Sequence, residues 1–174
     1  MKNFSSILWN SLLLISIMFL FNYASCKYGL KDVSPIPVDV KTFRVTYLEN
    51  KAQYINGQYS PQLTDRLRQK IINTTRLKQS SEDDAHYDIG GYISQFYVTT
   101  SGIANGNSSE NRLNVGFHLS FKNNLDNTKN QEIDITRTYP FSATKSLSVA
   151  SNELLSDIIR DISDDVFNKI FSNW

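Results

Sequence analysis

The chain has little of the side-chain chemistry that builds most enzyme sites. Its 174 residues include one cysteine, two histidines, two tryptophans and four prolines. A lone cysteine has no partner for an internal disulfide, so the core alone must stabilise the fold. Neither His86 nor His118 lies near a glycine-flanked serine or another recognisable nucleophile motif. The sequence therefore predicts no enzymatic activity and no catalytic residue.

Only one stretch of the sequence groups a histidine with several other potential metal ligands. Asp83, Asp84 and His86 lie close together in the polar segment that begins at Glu82. Zinc sites normally have three or four protein ligands, and no complementary cluster occurs elsewhere in the sequence. We therefore predict neither a metal site nor a cofactor.

The chain also lacks an excess of charge of either sign. It has 18 Lys and Arg against 17 Asp and Glu, and residues 1–25 contain Lys2 but no acid, so 17 of each remain beyond them. A nucleic-acid protein needs a basic stripe that displaces counterions from phosphates, so no nucleic-acid partner is predicted. A strongly polybasic membrane patch is excluded too, and membrane attachment would depend on lipid.

Long apolar runs are absent except for Ile7–Phe21, roughly 15 residues that follow Lys2. The run is shorter than the ~20 residues that span a bilayer. Small residues, Ala24 and Ser25, come shortly after it. A positive start, an apolar middle and small residues before a cut site are typical of an export signal. We predict that residues 1–25 are a signal peptide.

Cys26 lies directly behind those small residues, as in a bacterial lipoprotein signal. We predict that Cys26 is acylated and becomes the new, lipid-bearing N-terminus. Tyr23 occupies the place where an aliphatic residue is usual, which leaves two alternatives open. An ordinary signal peptidase would cut after Cys26 and leave no lipid, and an uncleaved segment would act as an anchor.

Removing 25 of the 174 residues leaves 149, which suits one domain with a sizeable core. Residues 26–40 contain Pro35 and Pro37 and show little periodicity, so we predict a tether there. Residues 41–174 are predicted to form a single domain.

Alternation of apolar and polar residues predicts four strands in this domain. They are Thr42–Leu48, His86–Thr99, Arg112–Lys122 and Glu132–Phe141. A short edge strand near Leu77 would make five. In the first strand, alternation turns Phe43, Val45 and Tyr47 inward. In the second, the pair Gly90-Gly91 predicts a bulge or bend.

The segments between the last three strands differ in length. Asn123–Asn130 is polar and suits a hairpin turn. Thr100–Asn111 is longer than a hairpin needs, so a projecting loop is expected there. That loop either contacts a partner or is a mobile hairpin tip.

Two helices are predicted. Ser60 is the expected N-cap and Pro61 the first helical residue of a helix that ends near Thr74. A second helix begins near Ser148, with an apolar stripe every three to four residues: Leu155, Ile158, Ile159, Ile162, Val166, Ile170 and Phe171. The order β-α-β-β-β-α predicts an α+β fold, a four-stranded (or five-stranded) mixed sheet with two helices packed on one face.

Four stretches resemble the lipopolysaccharide-assembly outer-membrane lipoprotein family (LptE-type), particularly its Bacteroidetes branch. They are Tyr23–Cys26, Ile36–Asn50, Ser60–Leu67 and Asp165–Trp174. The resemblance implies a non-enzymatic lipoprotein on the periplasmic side of the outer membrane, held by lipid on Cys26. It implies partnership with an outer-membrane β-barrel of the LptD type, which the protein plugs and helps to assemble in a one-to-one complex. It also implies contact with lipopolysaccharide during export to the outer leaflet.

Three cations are candidate ligand-binding residues, because charge-assisted hydrogen bonds suit lipid phosphates and sugar acids. Alternation turns Arg112 and Lys122 outward, whereas strict alternation would turn Arg137 inward. The ordinary alternative is a solvated sheet face. Two other functions stay open: a lipid-anchored periplasmic adaptor or small-ligand carrier without a barrel partner, and a secreted hydrolase.

Overall fold

The structure is a computed structural model that describes residues 36–104 and 107–172, with only the backbone course for 101–104 and 107–109. The predicted signal peptide, Cys26 and most of the predicted tether lie outside the described residues. Within the rest of the tether, Ile36 and Val40 are 4% and 1% exposed and already belong to the core.

Six strands form one sheet. They are β1 (Thr42–Val45), β2 (Glu49–Asn50), β3 (Lys78–Gln79), β4 (Tyr87–Ala104), β5 (Asn107–Asn123) and β6 (Gln131–Ser142). Their order is β3-β1-β4-β5-β6, and β2 also pairs with β4. The pairs that involve β1 or β2 are parallel, whereas β4, β5 and β6 are antiparallel. The predicted mixed sheet is confirmed, with β3 as the expected edge strand and the short β2 as an addition.

Three helices are described: α1 (Tyr59–Thr74), α2 (Leu147–Glu153) and α3 (Leu155–Phe171). The long helices α1 and α3 pack together on one face of the sheet, which confirms the predicted α+β arrangement. The predicted single C-terminal helix is divided at Leu154. The serine cap was also wrong: α1 begins at Tyr59 after Gln58, and Ser60 is a buried residue inside the first turn.

The strand β5, which lies between β4 and β6, supplies a large part of the core on its inward face. Its inward residues are 0–1% exposed: Leu113, Val115, Phe117, Leu119 and Phe121. The apolar stripes of α1 and α3 cover them. Each such side chain contributes about 1.5–3 kcal/mol when fully buried, so this face is the main source of stability.

The β4–β5 ladder is irregular at one point. Its register shifts between Ile93 and Gln95, three residues beyond the glycine pair where a bulge was predicted. Gly116 lies opposite the shift, where an added Cβ would come within 3.0 Å of both Ser94 Oγ and Gln95 Cβ. The close approach of the two strands at the bulge therefore requires a glycine on β5.

The expected loop at Thr100–Asn111 was wrong. β4 continues to Ala104, β5 begins at Asn107, and their residues pair along nearly the whole segment. Each added cross-strand pair satisfies backbone N–H and C=O groups, which a free loop would leave to water. The polar composition of this segment predicted a loop, yet it forms the outer part of a long hairpin.

The inward orientation predicted for Tyr47 was also wrong, since Tyr47 is 59% exposed and the next residue, Leu48, is fully buried. The cause is that β1 ends at Val45. Beyond that residue the chain has left the strand, and a period of two no longer assigns side chains to faces.

Candidate functional site

The face of the sheet opposite the helices is polar, and no helix among the described residues covers it. We call it the open face; its side chains come from β1, β4, β5 and β6. They include Arg44, Asp88, Tyr92, Tyr97, Arg112, Asn114, His118, Ser120, Lys122, Glu132, Asp134, Thr136 and Thr138. Every second residue of each strand contributes, because successive side chains of a strand point to opposite faces.

His118 lies at the centre of the open face, between two carboxylates of β6. Its Nδ1 is 2.7 Å from Asp134 Oδ1 and its Nε2 is 3.0 Å from Glu132 Oε2. The Ser120 hydroxyl donates to the other oxygen of Glu132 at 2.7 Å. The hydrogen bond to Asp134, helped by the charges of both carboxylates, raises the pKa of His118 above its ordinary value. Both ring nitrogens can donate only when the ring is protonated.

An aromatic ring borders this histidine. Tyr92 lies directly opposite His118 in the β4–β5 ladder, with ring centroids 5.0 Å apart. The Nζ of Lys51 lies 4.4 Å from the Tyr92 ring centroid, within the range of a cation–π contact. The centre of the open face therefore combines two acids, a histidine, a lysine and an aromatic ring.

A row of polar side chains crosses three strands closer to the hairpin end. Asn114 donates from Nδ2 to the Thr99 hydroxyl of β4 at 3.0 Å, and the Thr138 hydroxyl of β6 donates to Asn114 Oδ1 at 2.9 Å. Such a row keeps the surface polar while it fixes the side chains in one arrangement.

At the opposite end of the sheet, Arg44 joins β1 to β4. Its Nε and Nη2 donate to the two oxygens of Asp88 at 3.0 and 2.8 Å, and Nη1 bonds Asp83. These hydrogen bonds raise the pKa of Arg44. The side chains of Arg44 and Asp88 are 20% and 16% exposed, so this pair is largely committed to holding the two strands together.

The three predicted ligand-binding cations do not form one site. Arg112 and Lys122 are both exposed on the open face, but ten residues of β5 separate them, which is about 34 Å at the usual strand rise. Arg112 lies 3.6 Å from Glu110, whereas Lys122 has no ion pair with any described residue.

Arg137 lies on the helix side, as strict alternation indicated. Its Nε and Nη2 donate to the two oxygens of Asp165 in α3, and this pairing raises its pKa. The guanidinium is therefore bound within the fold, away from the open face.

The residues of the rejected metal site have other roles. Asp83 bonds Arg44, and His86 Nδ1 accepts the backbone N–H of Lys41 at 3.0 Å. Within residues 36–104 and 107–172, no group of three His, Cys, Asp or Glu side chains is arranged to hold a metal ion.

The fold and its polar open face can now be compared with known proteins. A model of the LptE family, described as lipopolysaccharide-assembly, matches residues 40–170. The chain belongs to this family. The match covers the sheet and both long helices of the LptE-family domain, including all residues of the open face.

Solved structures are similar to this chain in fold. An uncharacterized lipoprotein B from Nitrosomonas europaea has a TM-score of 0.52 and 16% identity, over 76% of this chain and 83% of that chain. Rare lipoprotein B from Shewanella oneidensis has a TM-score of 0.47 and 14% identity, over 73% and 92% of the two chains. A minor lipoprotein from Acinetobacter baumannii has a TM-score of 0.48 and 14% identity, over 77% and 92%. No curated protein sequence matches the chain significantly.

Sequence reasoning did not identify the centre of the open face in this LptE-family protein. His118 was considered only as a catalytic residue, and Glu132 and Asp134 were not singled out. The available signal was the short polar connection between β5 and β6, which limits the register to a few choices and places outward residues of the two strands opposite each other.

Among the described residues, no helix has the length and apolar character needed to cross a bilayer.

Proposed function

We propose that this LptE-family chain is a lipid-anchored outer-membrane lipoprotein that plugs a β-barrel translocon for lipopolysaccharide, supports its assembly, and contacts lipopolysaccharide on its way to the outer leaflet. Membership of a family described as lipopolysaccharide-assembly supports the proposed role in lipopolysaccharide export. The proposal also holds that the protein has no catalytic activity of its own.

The observation that carries the proposal is the asymmetry of the domain. Helices close one face of the sheet with an apolar core, while the other face is polar and nearly balanced in charge. The lumen of an outer-membrane barrel is polar and wet. Most charged groups of this surface are paired, as His118 and Arg44 are, and the exposed Lys122 can stay hydrated in a wet lumen. Such a surface can therefore enter the lumen with little loss of hydration.

The open face is long because it follows the β4–β5 hairpin. β5 has 17 residues, which correspond to almost 60 Å at the usual strand rise, well beyond the length of a typical strand. A hairpin of this length offers the barrel wall a long surface to contact.

Lipid on Cys26 would hold the domain at the membrane. A tether turns the search for a membrane partner into a local one, with an effective concentration set by tether length. A single acyl chain binds only marginally, whereas two or more make the attachment lasting. Mass spectrometry of the native protein tests this part directly, because it distinguishes an acylated Cys26 from an unmodified thiol.

Affinity purification tests the partnership. We expect the tagged full-length chain, solubilised with detergent from outer membranes, to recover a large β-barrel protein in a one-to-one ratio. A Cys26→Ser variant, measured at equal amounts of chain, is the control for the anchor and should recover less barrel. If the wild-type chain recovers none, the barrel partnership is wrong, and a lipid-anchored adaptor becomes the better account.

Contact with lipopolysaccharide is assigned to the open face, where Arg112 and Lys122 are the exposed cations of β5. Charge-assisted hydrogen bonds to phosphate are stronger than neutral ones. The double variant Arg112→Glu/Lys122→Glu should bind purified lipopolysaccharide more weakly, while Arg66→Glu on the exposed side of α1 should bind as the wild type does. Equal binding by all three proteins would leave these two cations with a solvent role only.

A further inference from the structure

One edge of β4 is paired with other strands in its first part and unpaired in its second part. On the side away from β5, β1 pairs with β4 at Tyr87–Ile89 and β2 pairs with it at Tyr92–Ile93. From Gln95 to Ala104, β5 is the only paired neighbour of β4 among the described residues. We call the opposite side of this stretch the free edge of β4. Every second residue there directs its N–H and C=O outward, because alternate residues of an antiparallel pair bond to each other.

The chemistry of this edge is unusual for an unpaired strand. The ten residues 95–104 (QFYVTTSGIA) contain no charged residue and no proline. Proteins normally protect free edges with charges, proline or very short strands, because an unguarded edge pairs with other chains. The sequence of this segment is rich in residues that favour strands.

The other long free edge of the same sheet is guarded. β6 pairs only with β5 among the described residues, and its twelve residues include Glu132, Asp134, Arg137 and Pro140. Both edges belong to one sheet, so the difference between them is specific to β4. The sequence keeps β4 able to pair, and it blocks pairing at β6.

An apolar cleft runs beside the free edge of β4. It measures about 350 Å³ and is lined by Gln53, Tyr54, Phe96, Tyr97, Val98 and Leu147. Three of these residues are consecutive on the free edge itself. The Tyr54 and Phe96 rings stack at 5.1 Å and form a fixed wall. No charged residue lines the cleft, so it suits an apolar side chain that arrives together with a backbone.

We propose that an extended, uncharged segment of the β-barrel partner pairs with the free edge of β4 as an added strand and places an apolar or aromatic side chain in this cleft. The proposal rests on the proposed function and names the surface through which the partner is held. In strand addition, main-chain hydrogen bonds supply affinity and side-chain clefts supply specificity. Both elements occur here side by side.

The chemistry selects a polypeptide over a lipid headgroup. A row of unpaired backbone N–H and C=O groups is matched, donor for acceptor, by another backbone in extended conformation, whereas a lipid headgroup offers no such alternating row. Lipid phosphates require cations, and neither the edge nor the cleft has any. The absence of charge on both also means that a charged segment would lose hydration without gaining a partner.

Hydrogen exchange in the native complex tests the proposal. The full-length chain is compared alone and bound to the co-purified barrel, with amide exchange followed along β4 and β6. We expect the outward-directed amides among residues 95–100 to exchange at least tenfold more slowly in the complex, because a backbone partner protects them. The outer amides of β6 should change little.

A matched pair of variants gives a second readout. Thr100 is an exposed threonine on the free edge of β4, and Thr74 is an exposed threonine at the end of α1, outside the open face. Thr100→Lys places a charge on the free edge of β4 and should reduce recovery of the barrel by about tenfold. Thr74→Lys places the same charge at the C-terminal end of a helix, where a cation is tolerated, and should recover the barrel normally. Circular dichroism and thermal unfolding confirm that both variants fold.

The outcomes separate this inference from the function on which it rests. If the barrel is recovered but residues 95–100 exchange as in the free chain, and both variants behave alike, strand addition is wrong and the barrel partnership stands. If no barrel is recovered by the wild type, both are wrong. Protection that grows with the concentration of the isolated chain would show that a second copy occupies the edge, which also overturns the proposal.

Discussion

The two faces of β5 have opposite roles although they share one backbone. Its inward residues are large, apolar and buried, whereas its outward residues are polar and bonded mainly to neighbouring strands. The inward face therefore decides whether the domain folds, and the outward face can vary without loss of the core. We expect substitutions on the two faces to have costs that differ in size and in kind.

The largest contrast is expected between Phe117 and Ser120. Phe117 is fully buried beneath the helices, so Phe117→Ala should lower the free energy of unfolding by about 3–5 kcal/mol through lost burial and a cavity. Ser120→Ala removes one exposed hydrogen bond to Glu132 and should cost at most about 1 kcal/mol. Urea denaturation measures both. Similar costs would mean that the two faces contribute equally to stability.

Neighbouring glycines of β4 allow a finer comparison. Gly91 has a φ of +155°, and an added Cβ would lie 2.3 Å from the His118 carbonyl oxygen and 2.6 Å from Phe117 Cζ. Gly91→Ala should therefore destabilise the domain by roughly 1–3 kcal/mol. In Gly90→Ala the added Cβ comes close to the Thr46 hydroxyl, at 3.0 Å, which can rotate away, and lies at an ordinary 3.9 Å from the Ser120 carbonyl oxygen. A Gly91→Ala protein that is as stable as Gly90→Ala would contradict the close packing of β4 on Phe117.

A variant of Arg137 tests whether an ion pair stabilises the helix side of β6. Its side chain is 48% exposed while Asp165 is 19% exposed, so Arg137→Ala should cost about 1 kcal/mol or less, mostly by leaving Asp165 unpaired. A double-mutant cycle with Asp165→Ala measures the coupling energy of the pair. The double variant should be more stable than Arg137→Ala alone, because no carboxylate is then left unpaired. A coupling energy of zero would show that the pair does not stabilise the contact between α3 and the sheet.

The smallest effect is expected on the open face and depends on pH. The pKa of His118 is raised in the folded protein, so the stabilisation it provides is fully present below its unfolded value, near 6.5, and is lost as the pH rises through the raised value. Asp134→Asn should bring the His118 titration, followed by NMR, back towards the ordinary value. The variant should be less stable than the wild type at pH 5.5 and nearly equal at pH 9. A stability difference independent of pH would exclude His118 as its source.

The comparison also explains what could be predicted from sequence. Burial could be predicted for the five alternating apolar residues of β5 and for Leu63, Leu67 and Ile71 of α1, which are spaced four residues apart. In both elements the buried positions repeat with the period of the strand or helix. The α+β class followed from the order of these elements.

The open face was less predictable, since it depends on which residues of different strands lie opposite each other. The contact of His118 with Asp134 and Glu132 is set by the β5–β6 register. Likewise, the outer hairpin at 101–104 and 107–110 forms through pairing between strands, and its polar composition gave no indication of it. The bond from Arg137 to Asp165 joins residues of β6 and α3, and no local pattern reports such a contact.

Transport of lipopolysaccharide in living cells is the most direct test of the central claim. The chain is depleted, and newly made lipopolysaccharide that reaches the outer leaflet is quantified against cells supplied with the wild-type chain. We predict that surface lipopolysaccharide falls as the chain disappears and returns when it is restored. An unchanged amount at the surface after full depletion would contradict a role in lipopolysaccharide assembly.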